Sequence, residues 1–393
     1  MRGRSAAAAR RRLAFGTIAS GQNTLAAGGQ PVPGYFGTRT RILASVAVAA
    51  SLGALAGRSF ALSPVAVFAV SGIALAGLAA MVGEGTDQLS HRFGPGATGV
   101  LQSALGNLPE FFIGVFALRA GLVDVVRSAL IGSILANTLL VLGLAFIAGG
   151  LRHGAQKFGG DQTRTMSTLL LLAVAAMAIP TIASAPGGPD RGHETEISVI
   201  VSLVLLVVFA ASIPFSLSKR GPVVGAEQDV VLPDAIWPIG LAVAVLLAAG
   251  IGAAFVSDWF VEALQPAMAT LGMSQSFAGL VVVAIAGNAV ENVVGVQAML
   301  ANKGDLAISI ILNSSLQVAL ALTPILVLGS LLLGGATLTL VVSPLLMASL
   351  ALATLLAAFV VIDGESTWLE GLALVGLYVI VAASVWWGGP IPA

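Results

Sequence analysis

"ALGNLPEFFIGVFALRAGLVDVVRSALIGS", residues 104–133, recurs without a gap as "IAGNAVENVVGVQAMLANKGDLAISIILNS", residues 285–314. Ten of the 30 aligned positions are identical: Gly106/Gly287, Asn107/Asn288, Glu110/Glu291, Gly114/Gly295, Val115/Val296, Ala117/Ala298, Ala120/Ala301, Asp124/Asp305, Ser128/Ser309 and Ser133/Ser314. Unrelated apolar segments coincide at Ala, Val and Leu. They do not keep Asn, Glu, Asp and Ser in register. The chain is therefore an internal duplication with an offset of 181 residues.

Both copies lie in a sequence built for lipid. Of 393 residues, 57% are hydrophobic and 9% charged, and the mean hydropathy is +1.00, outside the range of soluble domains. Crossing the hydrocarbon core takes roughly 20 apolar residues per helix. About eleven such runs are present, near 41–57, 62–83, 96–119, 123–149, 166–185, 195–217, 235–262, 274–300, 305–333, 337–361 and 366–387. The expected fold is thus all-α and polytopic, embedded in the bilayer, with no nucleic-acid partner. Oligomeric state is not readable.

Removing the first span from the repeat leaves two sets of five. Residues 1–40 form a basic tail, 41–57 an extra helix, 58–217 the first repeat, 218–234 a polar linker and 235–393 the second repeat. Because five is odd, the second set enters the membrane upside down relative to the first. Such inverted repeats are the signature of alternating-access transporters, whose site lies near the midplane where the repeats meet.

Positive charge orients the whole. Counting from a cytoplasmic amino terminus, inside segments hold 14 of the 18 Lys and Arg, and only Arg58, Arg119, Arg127 and Arg191 fall outside. The opening "MRGRSAAAARRRLAF" reads as a cytoplasmic tail, an early start, or a transit peptide. The membrane is a bacterial plasma membrane, or a vacuolar or other organelle membrane if the chain is eukaryotic.

The repeated motif carries the chemistry. On a helix, Asn107 and Glu110 share a face that Gly106 keeps free of side chains, and Asn288, Glu291 and Gly287 repeat the arrangement. An ionised carboxylate at mid-span costs roughly 2.5–3.5 kcal/mol, so it faces a cavity or a partner. Two carboxylates and two amide oxygens form a hard, oxygen-only metal site suited to Ca2+. Two like charges in one cavity also repel, so one of the pair holds a proton when no cation is bound.

Pro109 has no amide hydrogen and clashes with the carbonyl four residues back, Leu105. It is expected to break the helix, either freeing a backbone oxygen for the site or merely kinking the packing. Val290 holds the matching place, so that cause is missing from the second copy.

The span after each motif supplies a secondary polar shell, Ser133 and Asn137 in one half and Ser314 and Gln317 in the other, with each Ser also readable as a close-packing residue. Glu84 and Asp87 end the second span, and Asp258 and Glu262 the seventh. They are candidates for a proton path, or charges marking where the helices leave the membrane. His91, His153 and His193 fall in loops. Without cysteine there is no thiolate metal site. No HExxH motif or nucleophile–base pair stands out, so neither an enzyme nor a cofactor is expected.

With a GNxxE motif in each half, the chain resembles the cation/proton exchanger family of the calcium/cation antiporter superfamily from about residue 60 to the end. "SALIGSILANTLLVLGLAF" and "NSSLQVALALTPILVLG" look like that family's post-motif helices. The resemblance implies ten core helices plus an amino-terminal one, and exchange of Ca2+ for H+. Glu110 and Glu291 would bind either ion in turn, assisted by Asn107 and Asn288. The chain departs from the family at Leu108-Pro109, where Ala-Thr is usual, at Asn292, where His is usual, and in a short acidic linker. Sodium-coupled relatives tend to carry a further carboxylate after a motif. The amides Asn137 and Gln317 favour protons, with Na+/H+ or another cation/H+ exchange as the alternative.

Overall fold

The computed structural model describes residues 36–90, 105–189, 191–217 and 237–387. Most of the tail, His91, the opening of the third span and the linker 218–234 lie outside them. The described chain is helical: α1 Thr38–Ser59, α2 Pro64–Ser90, α3 Leu108–Arg119, α4 Val123–His153, α5 Gly160–Ala183, α6 Glu194–Leu217, α7 Ile239–Leu271, α8 Gln275–Gly287, α9 Ala289–Leu300, α10 Gly304–Ser330, α11 Pro344–Ile362 and α12 Trp368–Trp386.

Among the described residues, nine helices are long and apolar enough to cross a membrane, or ten with α8 and α9 taken as one span bent by 63°. Burial sorts centre from periphery. The most apolar stretches of α4 and α10 are 83% and 89% buried, against 22% for α1 and 28% for α6. The two post-motif helices are therefore the middle of the protein. Their polar residues contact protein rather than lipid, as polar groups at membrane depth require.

Small residues set the closest approaches, as in membrane helix packing generally. A Cβ on Gly77 of α2 would lie 2.9 Å from Ala47 Cα of α1, and Gly53 and Gly57 of α1 meet Val70 and Val67. On its other side α2 runs antiparallel to α7: Phe68 stacks on Phe260 with ring centroids 4.7 Å apart, Leu78 faces Gly252 and Gly85 faces Leu246. An aromatic pair of this kind adds about 0.5–1.5 kcal/mol beyond its burial.

The backbone repeats with the sequence. Asn107 (φ −94°, ψ 16°) and Asn288 (φ −97°, ψ 18°) interrupt their helices in the same conformation. The following turns place Gly121 (φ 76°) and Asn302 (φ 60°), again 181 residues apart, in the left-handed region that Gly and Asn tolerate. A π-helical turn then follows in each central helix, Ala136–Val141 and Val318–Leu322. A third, Ala278–Val283, lies in α8.

One span differs from expectation. The span expected from residue 337 starts at Pro344, behind a non-helical stretch over 336–343. Ser343 caps the new start by accepting from Leu346 N. Its buried backbone is satisfied by side chains: Leu340 N donates to Ser198 Oγ at 3.0 Å, Val342 N to Thr181 Oγ1, and Arg127 Nε to Thr339 O at 3.2 Å.

The stretch 154–159 is likewise tied down. Gln156–Lys157 (β1) pairs antiparallel with Glu365–Ser366 (β2). Gln156 Nε2 donates to Asn302 Oδ1 at 2.9 Å, and Gly159 N donates to Asp305. Glu365, 2.8 Å from Lys157 Nζ, holds that exposed ammonium above the usual lysine value. Such a pair fixes register more than stability.

Candidate cation-binding site

Each motif carboxylate sits in the first turn of a short helix, Glu110 in α3 and Glu291 in α9, with an asparagine just before the helix. That is where unpaired backbone N–H groups and the helix dipole favour negative charge. The break recurs in both copies, with a proline after it in only one. Pro109 lies within the first two residues of α3, where its missing N–H is one no helix would use. Asn288 breaks the second helix with Val290 in the proline's place. The break expected beside Pro109 is present, and because the shared Gly-Asn pair accompanies it in both copies, a proline is not required for it. Pro109→Ala should accordingly shift unfolding by less than about 1 kcal/mol and leave Ca2+ affinity within about twofold, measured by thermal melting and vesicle uptake.

Glu110 is 7% exposed and is gripped from both halves. Ser133 Oγ of α4 and Asn288 Nδ2 each donate to its Oε1 at 2.5 Å. A Cβ on Gly287 would lie 2.9 Å from that oxygen, so only glycine lets the carboxylate in. Its Oε2 is buried and has no partner among the described residues. The network continues through Ser314 Oγ, which donates to Asn288 Oδ1 at 3.3 Å and receives Asn137 Nδ2 at 3.0 Å. Asn107 Nδ2 donates to Gln317 Oε1 at 3.0 Å. Glu291 is half-buried in the first turn of α9, three residues past the Asn288 that holds Glu110.

Seven of the eight core and shell side chains proposed from the motifs are thus hydrogen-bonded across or within the two halves, with Glu291 beside them. Gly106 occupies the turn before Asn107. Ser315 turns back onto Ile311 O and takes no part. The candidate proton path lies elsewhere: Glu84 accepts from Thr40 of α1 at 3.3 Å, Glu262 pairs with Arg58 of α1 at 3.0 Å, and Asp87 and Asp258 are exposed.

Sequence reasoning missed the contact that brings α4 and α8 together. Gly132 abuts the Leu280 backbone, and a Cβ on Gly279 would lie 2.8 Å from Ser128 Cβ. The signal was present as single glycines in otherwise apolar helices. The orphaned, buried Oδ1 of Asn292 was also missed.

These features define a mostly helical, multi-pass membrane protein whose two sequence-related halves meet in one buried network of polar side chains. The chain belongs to the sodium/calcium exchanger protein family, which it matches over residues 63–218 and 241–387, and within it to the cation/proton exchangers. It is 32% identical over 336 residues to a Ca2+/H+ antiporter of Synechocystis sp., covering 80% of this chain and 89% of that one. It is 34% identical over 320 residues to the Ca2+/H+ antiporter ChaA of Bacillus subtilis, covering 80% and 90%. The structure of native YfkE superposes with a TM-score of 0.75 at 30% identity, over 88% of this chain and 99% of that one.

Proposed function

We infer that the protein is a secondary antiporter that exchanges Ca2+ for H+ by alternating access. The observation that carries this reading is Glu110: a buried carboxylate held on one oxygen by donors from both halves, its other oxygen unpartnered among the described residues, one of those donors being the Asn288 that precedes the Glu291 helix. A divalent ion would neutralise the pair and fill vacant oxygen valence. Protons would do the same in its absence. Glu110 and Glu291 take either ion in turn, Ser133 and Asn288 orient Glu110, and Asn107, Ser314, Asn137 and Gln317 form the polar shell.

The architecture that serves this is eleven spans, an extra helix and two inverted sets of five, with the amino terminus cytoplasmic. The 181-residue recurrence of helix breaks and left-handed turns supports it. Names of relatives in bacteria and in vacuolar membranes support a plasma or organelle membrane. The test is proton flux in sealed proteoliposomes with Ca2+, Na+, K+ and Mn2+ added separately. Flux driven by Ca2+ is the expected result, and flux driven by Na+ but not Ca2+ would replace this reading with Na+/H+ exchange.

A further inference from the structure

The two carboxylates are equivalent in sequence but not in their surroundings. If the duplication were kept in every contact, Glu291 would receive Asn107 and Ser314 as Glu110 receives Asn288 and Ser133. Neither bond forms. Asn107 is turned to Gln317, and Ser314 donates to Asn288. Glu291 accepts no side-chain hydrogen bond from any described residue, whereas Glu110 takes two on a single oxygen.

Two residues account for this, and neither is duplicated. Gln317 stands where the first half has Ala136, and Asn137 where the second half has Val318. Gln317 supplies the acceptor that draws Asn107 aside. In the first half Ala136 offers no such acceptor, so Asn288 stays on Glu110. Asn137 completes the asymmetry by donating to Ser314 Oγ at 3.0 Å, a geometry in which the hydroxyl proton points away towards Asn288 Oδ1. All four side chains other than Asn107 are at least nine-tenths buried, so water does not readily substitute for these partners.

We propose that Gln317 and Asn137 are positioning residues that strip Glu291 of its repeat-expected donors, making it the mobile carboxylate that meets the cation first while Glu110 stays fixed. The proposal rests on the exchange reading above and assigns different tasks to its two carboxylates. A carboxylate without side-chain donors has no side-chain bond to break when an ion arrives. One held by two must keep its place if the site is to have a floor.

The chain has no cysteine, so accessibility can be read directly, without any transport. In detergent-solubilised protein, Glu291→Cys is expected to react with a hydrophilic methanethiosulfonate at least about tenfold faster than Glu110→Cys. Equal rates would overturn the inequivalence even if transport were wholly normal.

The role of Gln317 is tested with Gln317→Met, which keeps the volume and removes the acceptor. Asn107 is then released to Glu291, and the ion must break that bond. KM for Ca2+ in proteoliposomes should rise about tenfold, as for one charge-assisted hydrogen bond, with maximal rate within about twofold. Gln317→Glu, which keeps an acceptor for Asn107, should show a smaller KM change than Gln317→Met. An unchanged KM, or a loss confined to maximal rate or protein yield, would overturn the assignment of Gln317. Absence of Ca2+-driven flux in the wild type would instead sink the exchange reading and leave the labelling result standing.

Discussion

Glu110→Gln and Glu291→Gln are each expected to lower Ca2+-driven proton flux by about a hundredfold or more, the loss of some two decades in transport rate, while leaving the protein monodisperse and folded. At Glu110 the reason is specific. A glutamine carbonyl can accept from Ser133 and Asn288 as the carboxylate oxygen does, so the contacts that hold α3 to α4 and α8 survive. What disappears is the charge that neutralises a divalent ion and the group that releases a proton. Flux in reconstituted vesicles, with size-exclusion profiles as the fold control, checks this. Wild-type flux from either variant would remove that residue from the site.

The second large effect is in pH. On the proposed exchange, Ca2+ and protons compete for the same two carboxylates, so occupancy by one excludes the other, which is the minimum requirement for coupled exchange. Protonated carboxyls do not bind the ion, so apparent Ca2+ affinity should fall as pH is lowered, by about tenfold per pH unit for each proton displaced. The reciprocal holds: adding Ca2+ to solubilised protein in weak buffer should release protons. Both effects should vanish in the Glu→Gln variants. Isothermal titration at several pH values, in buffers of different ionisation heat, measures affinity and proton release together. Tight binding that is independent of pH between mildly acidic and mildly alkaline conditions would rule out this coupling.

The motif residues were legible because an Asn, a Glu and a Ser repeated in register inside apolar runs have few structural reasons to be there, and seven of the eight are joined in hydrogen bonds. The break at Asn288 was not legible, since Val290 gives no cue of the kind Pro109 gives and the shared Gly-Asn pair is a weak breaker in local terms. The segment 337–343 was misread as helix because hydropathy does not distinguish helix from extended chain. Its Thr337, Thr339, Val341 and Val342 are β-branched residues that favour the latter, and Ser343-Pro344 marks the true start. The difference between Glu110 and Glu291 depends on which partner each amide finds across the helix crossings, and no one-dimensional pattern encodes that.

The two non-helical connections, 154–159 and 336–343, bear on how the chain is made. Everything that receives Thr339, Leu340 and Val342, namely Arg127, Thr181 and Ser198, leaves the ribosome earlier than they do. That segment has its seat waiting. The partners of Gln156, Lys157 and Gly159 are instead Met299, Asn302, Asp305 and Glu365, all synthesised more than a hundred residues later. The first half of the chain thus emerges with one connection unable to close, and the second half supplies its partners. One seam can therefore close as the chain is made and the other only once the second half is made, however alike the halves' sequences.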